Sequence, residues 1–302
     1  MPHLFPKTSI KFIEARWVCI TISIIIIVSG IVSMAIRGMN WSIDFTGGLD
    51  IQVRFQNPVS DGAVRAALAG SGVDEVKTIS SLGQREEMSI RMKSSENSSQ
   101  SQQEIKSKLD AAFPGNPVEI RNVQVVGPKV GRELRGQAVL SAIVAMALLL
   151  IYISWRFEFK FAVGGVAGLF HDTLLTLAFL SFFGYEFSLS VLAAILTLIG
   201  YSLNDTIVVY DRIRENLKKL RNMNLAAIMD LSINETLSRT VITSFTVFMT
   251  VLVLFLFGGP VLRGFSFTML IGVITGTYSS IYISAPIVLE WAEKTAIKGK
   301  KR

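Results

Sequence analysis

Six stretches of this chain stay almost wholly apolar for about the 20 residues that a helix needs to cross a bilayer: residues 17–36, 136–155, 161–183, 188–210, 241–257 and 265–291. The last is long enough to tilt or to run past the interface. Between the first and second stretches the period changes. Residues 49–55 alternate apolar and polar as a half-buried strand does, and residues 60–70 repeat Ala and Val along one helical side. Residues 76–81 and 87–92 read as two further strands. The polar run SSENSSQSQQE (94–104) predicts an exposed loop and a helix start, with Ser101 and Glu104 at capping-box spacing and the helix reaching Phe113. Residues 118–126 close the series as a fourth strand. The order β-α-β-β-α-β is that of the ferredoxin-like split motif.

The expected architecture is therefore an α-helical membrane protein with six transmembrane helices and a small α+β ferredoxin-like domain between helices 1 and 2. Its divisions are a tail and first span (1–37), an outer domain (38–135), a five-span core (136–291) and a basic tail (292–302). Composition agrees: 50% of the 302 residues are hydrophobic and 18% charged, against about 25% charged in soluble domains. The net charge of +7 raises nucleic-acid binding as a class, but the positives flank apolar stretches as membrane topology requires. Lys7, Lys11 and Arg16 precede the first span, Arg156 and Lys160 follow the second, and Arg212 to Arg239 lie between the fourth and fifth. Lys294, Lys298, Lys300, Lys301 and Arg302 end the chain, whereas Arg263 stands alone in the two short loops of the other side, 184–187 and 258–264. Both termini are expected in the cytoplasm. A basic start, an apolar core and Ser33-Met34-Ala35 imitate a cleaved signal peptide, yet the core is longer than such peptides use. One cysteine, Cys19, and two histidines leave no disulfide framework and no ligand set for a protein-only zinc site. No cofactor, metal or enzymatic activity is expected.

Polar positions inside the spans carry the chemistry. Gly164, Gly168, Asp172 and Thr176 recur every four residues on the third span, with His171 beside them. Thr197, Tyr201 and Asp205 do so on the fourth, Arg239, Thr243, Thr246 and Thr250 follow on the fifth, and Gly272, Thr275, Gly276 and Ser279 on the sixth. Glycines and hydroxyls at such spacing commonly serve helix packing. Asp172 and Asp205 are different, because a charged group at a helix centre costs about 3 kcal/mol and usually marks an ion pathway or proton relay. Helical rise puts Asp205 ~8 Å and Asp172 roughly 17 Å inside the cytoplasmic ends of their helices, so a relay between them would need water or hydroxyls. Arg239 lies nearer the depth of Asp205 and fits either a pathway role or an interface arginine that snorkels. An intramembrane protease is disfavoured, since the GxGD and GxSG contexts are replaced by SLND and GYSLN. Residues 226–237 look amphipathic, as a helix lying along the cytoplasmic surface would.

These residues also carry a resemblance. IDFTGG (43–48), VGPKVGREL (126–134), HD (171–172), GYSLNDTIVVYDRIREN (200–216) and TLSRTVITS (236–244) occur in order around six spans and one large outer loop. In this the chain resembles the SecF family, the smaller subunits of bacterial SecDF translocation complexes, within the resistance–nodulation–division (RND) superfamily. The resemblance implies half of an RND-type transporter in the bacterial inner membrane with a periplasmic domain. It implies pairing with SecD into a twelve-helix unit, YajC as an accessory partner, and preprotein translocation through SecYEG, after SecA, driven by the proton-motive force. It implies Asp205 as the coupling acid, Arg239 as its basic partner, and Asn204 and Thr206 as residues shaping the site; Asp172 and His171 are further pathway candidates from their place within the third span. It also implies that Asp44, Phe45, Thr46, Gly47 and Gly48 form a junction or hinge motif. A structural scaffold without proton coupling is the alternative reading.

Overall fold

The computed structural model describes residues 8–79, 87–92 and 98–300. In chain order the elements are α1 (Arg16–Arg37), α2 (Ile43–Thr46), β1 (Gly48–Phe55), α3 (Asp61–Ala67), β2 (Val73–Ile79), β3 (Glu87–Met92), α4 (Ser98–Ala112) and β4 (Val118–Val126). Then follow α5 (Pro128–Arg156), α6 (Phe159–Phe183), α7 (Leu189–Lys219), α8 (Leu225–Phe257), α9 (Gly259–Ser279), a π-helical turn (Ser280–Ser284) and α10 (Ala285–Lys300). Among the described residues, six helical stretches are long and apolar enough to cross a membrane: α1, α5, α6, α7, α8 and the run Val261–Thr295 through α9, the π turn and α10.

The sheet order is β2-β3-β1-β4 with every neighbouring pair antiparallel, the arrangement the ferredoxin-like order demands. Leu49, Ile51, Val53 and Phe55 share one face of β1 because side chains alternate along a strand. They form a core with Met88 and Ile90 of β3, Val64 of α3, and Ile105 and Leu109 of α4. The other face, with Asp50, Gln52, Ser89 and Arg91, is polar and borders a cleft of about 490 Å³ above the loops joining α6 to α7 and α8 to α9. Helix α4 starts at Ser98, so the expected capping box at Ser101 and Glu104 falls inside the helix. Positions 94–97 of the polar run lie outside the described residues, as do 80–81 of the expected second strand, Lys7, Lys301 and Arg302.

The membrane helices approach closely where glycine allows it. A β-carbon at Gly30 of α1 would collide with Ala178 of α6, and one at Gly168 would collide with Ser284 of the π turn. The Ser33 and Ser181 hydroxyls meet at 2.9 Å across the α1–α6 contact, as small and hydroxyl residues do where membrane helices pack. In the sixth span, Pro286 lacks the N–H that would close its helical turn. The π turn just before it absorbs the mismatch, and Ser284 O accepts a 3.2 Å bond from Tyr210 Oη of α7.

The amphipathic segment 226–237 is not a separate surface helix but the first third of α8. Met229 and Ile233 join the core that holds Ile213 of α7. Asn216 Nδ2 donates to Ser232 Oγ (3.0 Å) and Glu235 Oε2 (2.7 Å), which ties the segment to the extension of α7 rather than to a lipid surface.

The α1–α6 contact is testable with Ser33→Cys and Ser181→Cys in a Cys19→Ser background. The pair should cross-link readily under mild oxidant. Adding Gly30→Leu should cost about 1–3 kcal/mol of packing and sharply reduce the yield on non-reducing gels. Equal yields would contradict glycine-limited packing.

Candidate functional site

Asp172 of α6 is 1% exposed. Its Oδ2 accepts bonds from Ser202 Oγ of α7 (2.6 Å) and Ser279 Oγ of α9 (2.8 Å). Its Oδ1 lies 3.1 Å from Nδ1 of His171, whose ring stacks on Tyr278 at 6.0 Å between centroids. Three helices thus converge on one carboxylate. Gly276 permits this, since a β-carbon there would press against Ser202 at 3.0 Å. Ser202 bonds to the acid rather than to His171, so the serine–histidine pairing of a hydrolase is absent among the described residues.

Asp205 of α7 is 2% exposed but more sparsely held. Its Oδ2 accepts one bond, 3.2 Å, from Ser244 Oγ of α8, and Ser244 Oγ is 2.6 Å from Thr277 Oγ1 of α9. No hydrogen bond joins the two acids among the described residues. They are linked through α7, where Ser202 sits one turn from Asp205, and through α9, where Thr277 and Ser279 serve one acid each.

The other expected site residues divide. Thr206 is buried, with its hydroxyl returned to Ser202 O at 3.2 Å. Asn204 is exposed. Arg239 is exposed and forms no ion pair among the described residues, although its charge lies within electrostatic range of Asp205. On α8 the stripe chosen from sequence, Thr243, Thr246 and Thr250, turns outward or half-outward. The inward stripe is Thr236, Thr240 and Ser244. Its strict four-residue spacing is the one signal that could have found Ser244.

The Asp44–Gly48 motif sits where the sheet domain meets the bundle. Asp44 Oδ2 accepts from Leu189 N at 2.9 Å, the first amide of α7, and from Ser42 Oγ at 3.0 Å. A carboxylate there satisfies an orphan helix amide and faces the positive end of the helix dipole. Phe45 is buried with Trp41 and Phe187, and Arg135 of α5 donates to Phe45 O at 3.1 Å. Thr46 Oγ1 turns back to Ser42 O at 3.1 Å. Gly47 (φ 74°) and Gly48 (φ 137°) hold conformations that side-chain-bearing residues rarely adopt, and a β-carbon would lie 2.8 Å from Pro128 and 2.7 Å from Met92 O. From the sheet, Arg91 reaches Glu186 at 2.5 Å and Lys77 Nζ donates to Gly184 O at 3.1 Å, so the domain grips the α6–α7 loop. Among the described residues no cluster of three potential metal ligands occurs.

The family model described as protein export membrane protein SecD/SecF, C-terminal, matches residues 105–294, and the SecD/SecF GG motif matches residues 32–59. The protein translocase subunit SecF of Desulfurispirillum indicum is 42% identical over 289 residues, covering 93% of this chain and 91% of that protein. The subunit SecF of Pseudomonas aeruginosa is 39% identical over 288 residues, covering 95% and 93%. The chain belongs to the SecF family. The fold agrees, since the crystal structure of SecDF from Thermus thermophilus, a translocon-associated membrane protein, superposes with a TM-score of 0.84 at 34% identity. That match covers 97% of this chain and 40% of the SecDF chain. A SecDF structure in a super-membrane-facing form gives a TM-score of 0.73 at 33% identity, covering 100% of this chain and 41% of the other. This SecF-family chain is thus a multi-pass membrane protein of RND-like fold with a role in protein translocation.

In the cleft above the junction, Asp50 is buried against Ser89 Oγ at 2.5 Å. Burial raises its carboxyl above the ordinary value of 3.8, and the Ser89 bond and the charge of Arg91 oppose the rise without cancelling it. An acid that holds its proton more tightly when folded stabilises the fold most below its unfolded value, and that contribution is lost as pH rises through the raised folded value. Asp50→Asn, which keeps the neutral form, should therefore protect the β1 and β3 amides from hydrogen exchange better than wild type at neutral pH. Below the ordinary carboxylate value the two should coincide. A variant less protected at neutral pH would reverse the sign.

Proposed function

We propose that this chain is a proton-motive-force-dependent subunit of protein translocation, working with a SecD-type six-span half at the SecYEG channel downstream of SecA. The preprotein is its substrate and the bacterial inner membrane its site, with both termini cytoplasmic and the sheet domain periplasmic. Asp205 is the coupling acid. The observation that carries this reading is the contrast between two buried carboxylates. Asp172 is held by two serines and His171, whereas Asp205 has one 3.2 Å bond, to a serine that is itself shared with Thr277.

An ionised carboxylate only accepts hydrogen bonds, and a protonated one also donates. A proton taken up on Oδ2 of Asp205 displaces the Ser244 donor, which can turn to Thr277 instead, and this changes the bonding among α7, α8 and α9. The N-terminus of α7 is held by Asp44 at the domain junction. A shift of α7 is thereby passed to the sheet domain through a rigid helix rather than a flexible linker. Arg239, exposed and without an ion pair among the described residues, supplies the positive charge at the cytoplasmic mouth that competes with the proton for Asp205.

Inverted membrane vesicles carrying Asp205→Asn with the partner subunit present should complete preprotein translocation at the ATP-driven rate and lose the increment due to a proton gradient, with complex assembly intact. Asp172→Asn should instead lower the yield of assembled complex. Retention of the gradient-dependent increment by Asp205→Asn would favour the scaffold reading.

A further inference from the structure

Away from the carboxylates, α1 and α10 diverge on the membrane face that carries both termini and leave a groove of about 600 Å³. From Arg16 the groove passes Trp17 and Ile20 going into the bilayer, and from Lys294 it passes Trp291 and Ile287. One end is therefore cationic and the wall along its length is apolar. Trp17 and Trp291 are 57% and 42% exposed, as indoles are where they anchor at a membrane interface.

The charges at the cationic end do not cancel. Glu290 is the one acid in the lining, and it is taken by Arg16 Nη2 at 3.2 Å. Arg16 Nη1 donates to Ile13 O at 3.1 Å, and its Nε–H is buried without a partner. Lys294 is exposed and forms no ion pair among the described residues. A net positive charge remains, that of Lys294, beside the Arg16–Glu290 pair.

We propose that this groove binds an anionic phospholipid, with the headgroup phosphate between Arg16 and Lys294 and an acyl chain along Trp17, Ile20 and Ile287. The anionic class follows from the charge balance. A zwitterionic headgroup brings an ammonium that needs an acid, and the acid in the lining is already paired. Basic side chains beside a helix gap at a membrane face recognise anionic headgroups in this way.

The test uses the full chain with Trp41→Phe and Trp155→Phe, so that fluorescence comes from Trp17 and Trp291. It is reconstituted in nanodiscs containing brominated phosphatidylglycerol or brominated phosphatidylcholine with identical chains. Quenching should saturate at about a fivefold lower mole fraction of the phosphatidylglycerol, the scale of one uncompensated basic side chain near a charged surface. Lys294→Gln, which breaks no bond in the fold, should remove much of that preference, and Glu290→Gln should strengthen it. Millimolar inorganic phosphate should not compete. Equal quenching by the two lipids, an unchanged preference in Lys294→Gln, or displacement by free phosphate would each overturn the proposal. Loss of quenching on assembly with the partner subunit would do so too, because the groove would then be covered by protein.

Discussion

A carboxylate placed in a bilayer has no water to accept from, so its hydrogen bonds must come from neighbouring helices at close range. That requirement organises this molecule. Asp172 can be met by Ser202 and Ser279 together only because Gly276 lets α9 lie against α7, and Gly164 and Gly168 let α6 lie against Tyr210 and Ser284. The glycines and the acid are parts of one arrangement. A larger residue at any of these positions would move a donor out of reach and leave a buried charge unsatisfied, which is costlier than the lost contact itself.

The same economy explains why the sheet domain cannot be treated as a separate module. Its first strand follows a four-residue helix whose acid caps α7, its second and third strands hold the α6–α7 loop, and α5 begins two residues after its last strand. The loop between α6 and α7 therefore has the Asp172 helix at one end, the Asp205 helix at the other and the sheet domain above. Gly47 and Gly48 pack closely against Pro128 and Met92, which leaves little room at the junction. Movement at this point would pass through helices rather than bend the motif.

Spans and strand order were legible in the sequence because each rests on a local regularity: apolar length and two-residue alternation. Asp172 and Asp205 were legible because a carboxylate in an apolar run has few uses. What sequence could not settle was rotation. Helix α8 carries two stripes at helical spacing, and only packing decides that Ser244 rather than Thr243 or Thr246 turns inward. Asn204 adjoins Asp205 in sequence but lies about 100° around the helix from it, and the structure leaves it exposed. The continuity of 226–237 with the fifth span was missed for a related reason. Amphipathicity reports that one face is buried, not whether lipid or Asn216 and Ile213 of α7 bury it.

The two acids also differ in what a proton would do to each. At Asp172 both serine hydroxyls donate to one oxygen, so protonating that oxygen would turn at least one donor away and disturb bonds from α7 and α9 at once. At Asp205 the single donor already has Thr277 as an alternative acceptor 2.6 Å away. A hydroxyl with two acceptors in reach can exchange them by rotating one torsion, without breaking helix packing. Low cost in both states is what a repeatedly titrating group needs, and high cost in one state is what a packing centre needs. Ser202, on the helix turn before Asp205, ties α7 to the less yielding of the two. A rearrangement around Asp205, were it to occur, would run into α8 and the far ends of α7, one of which is held by the sheet domain.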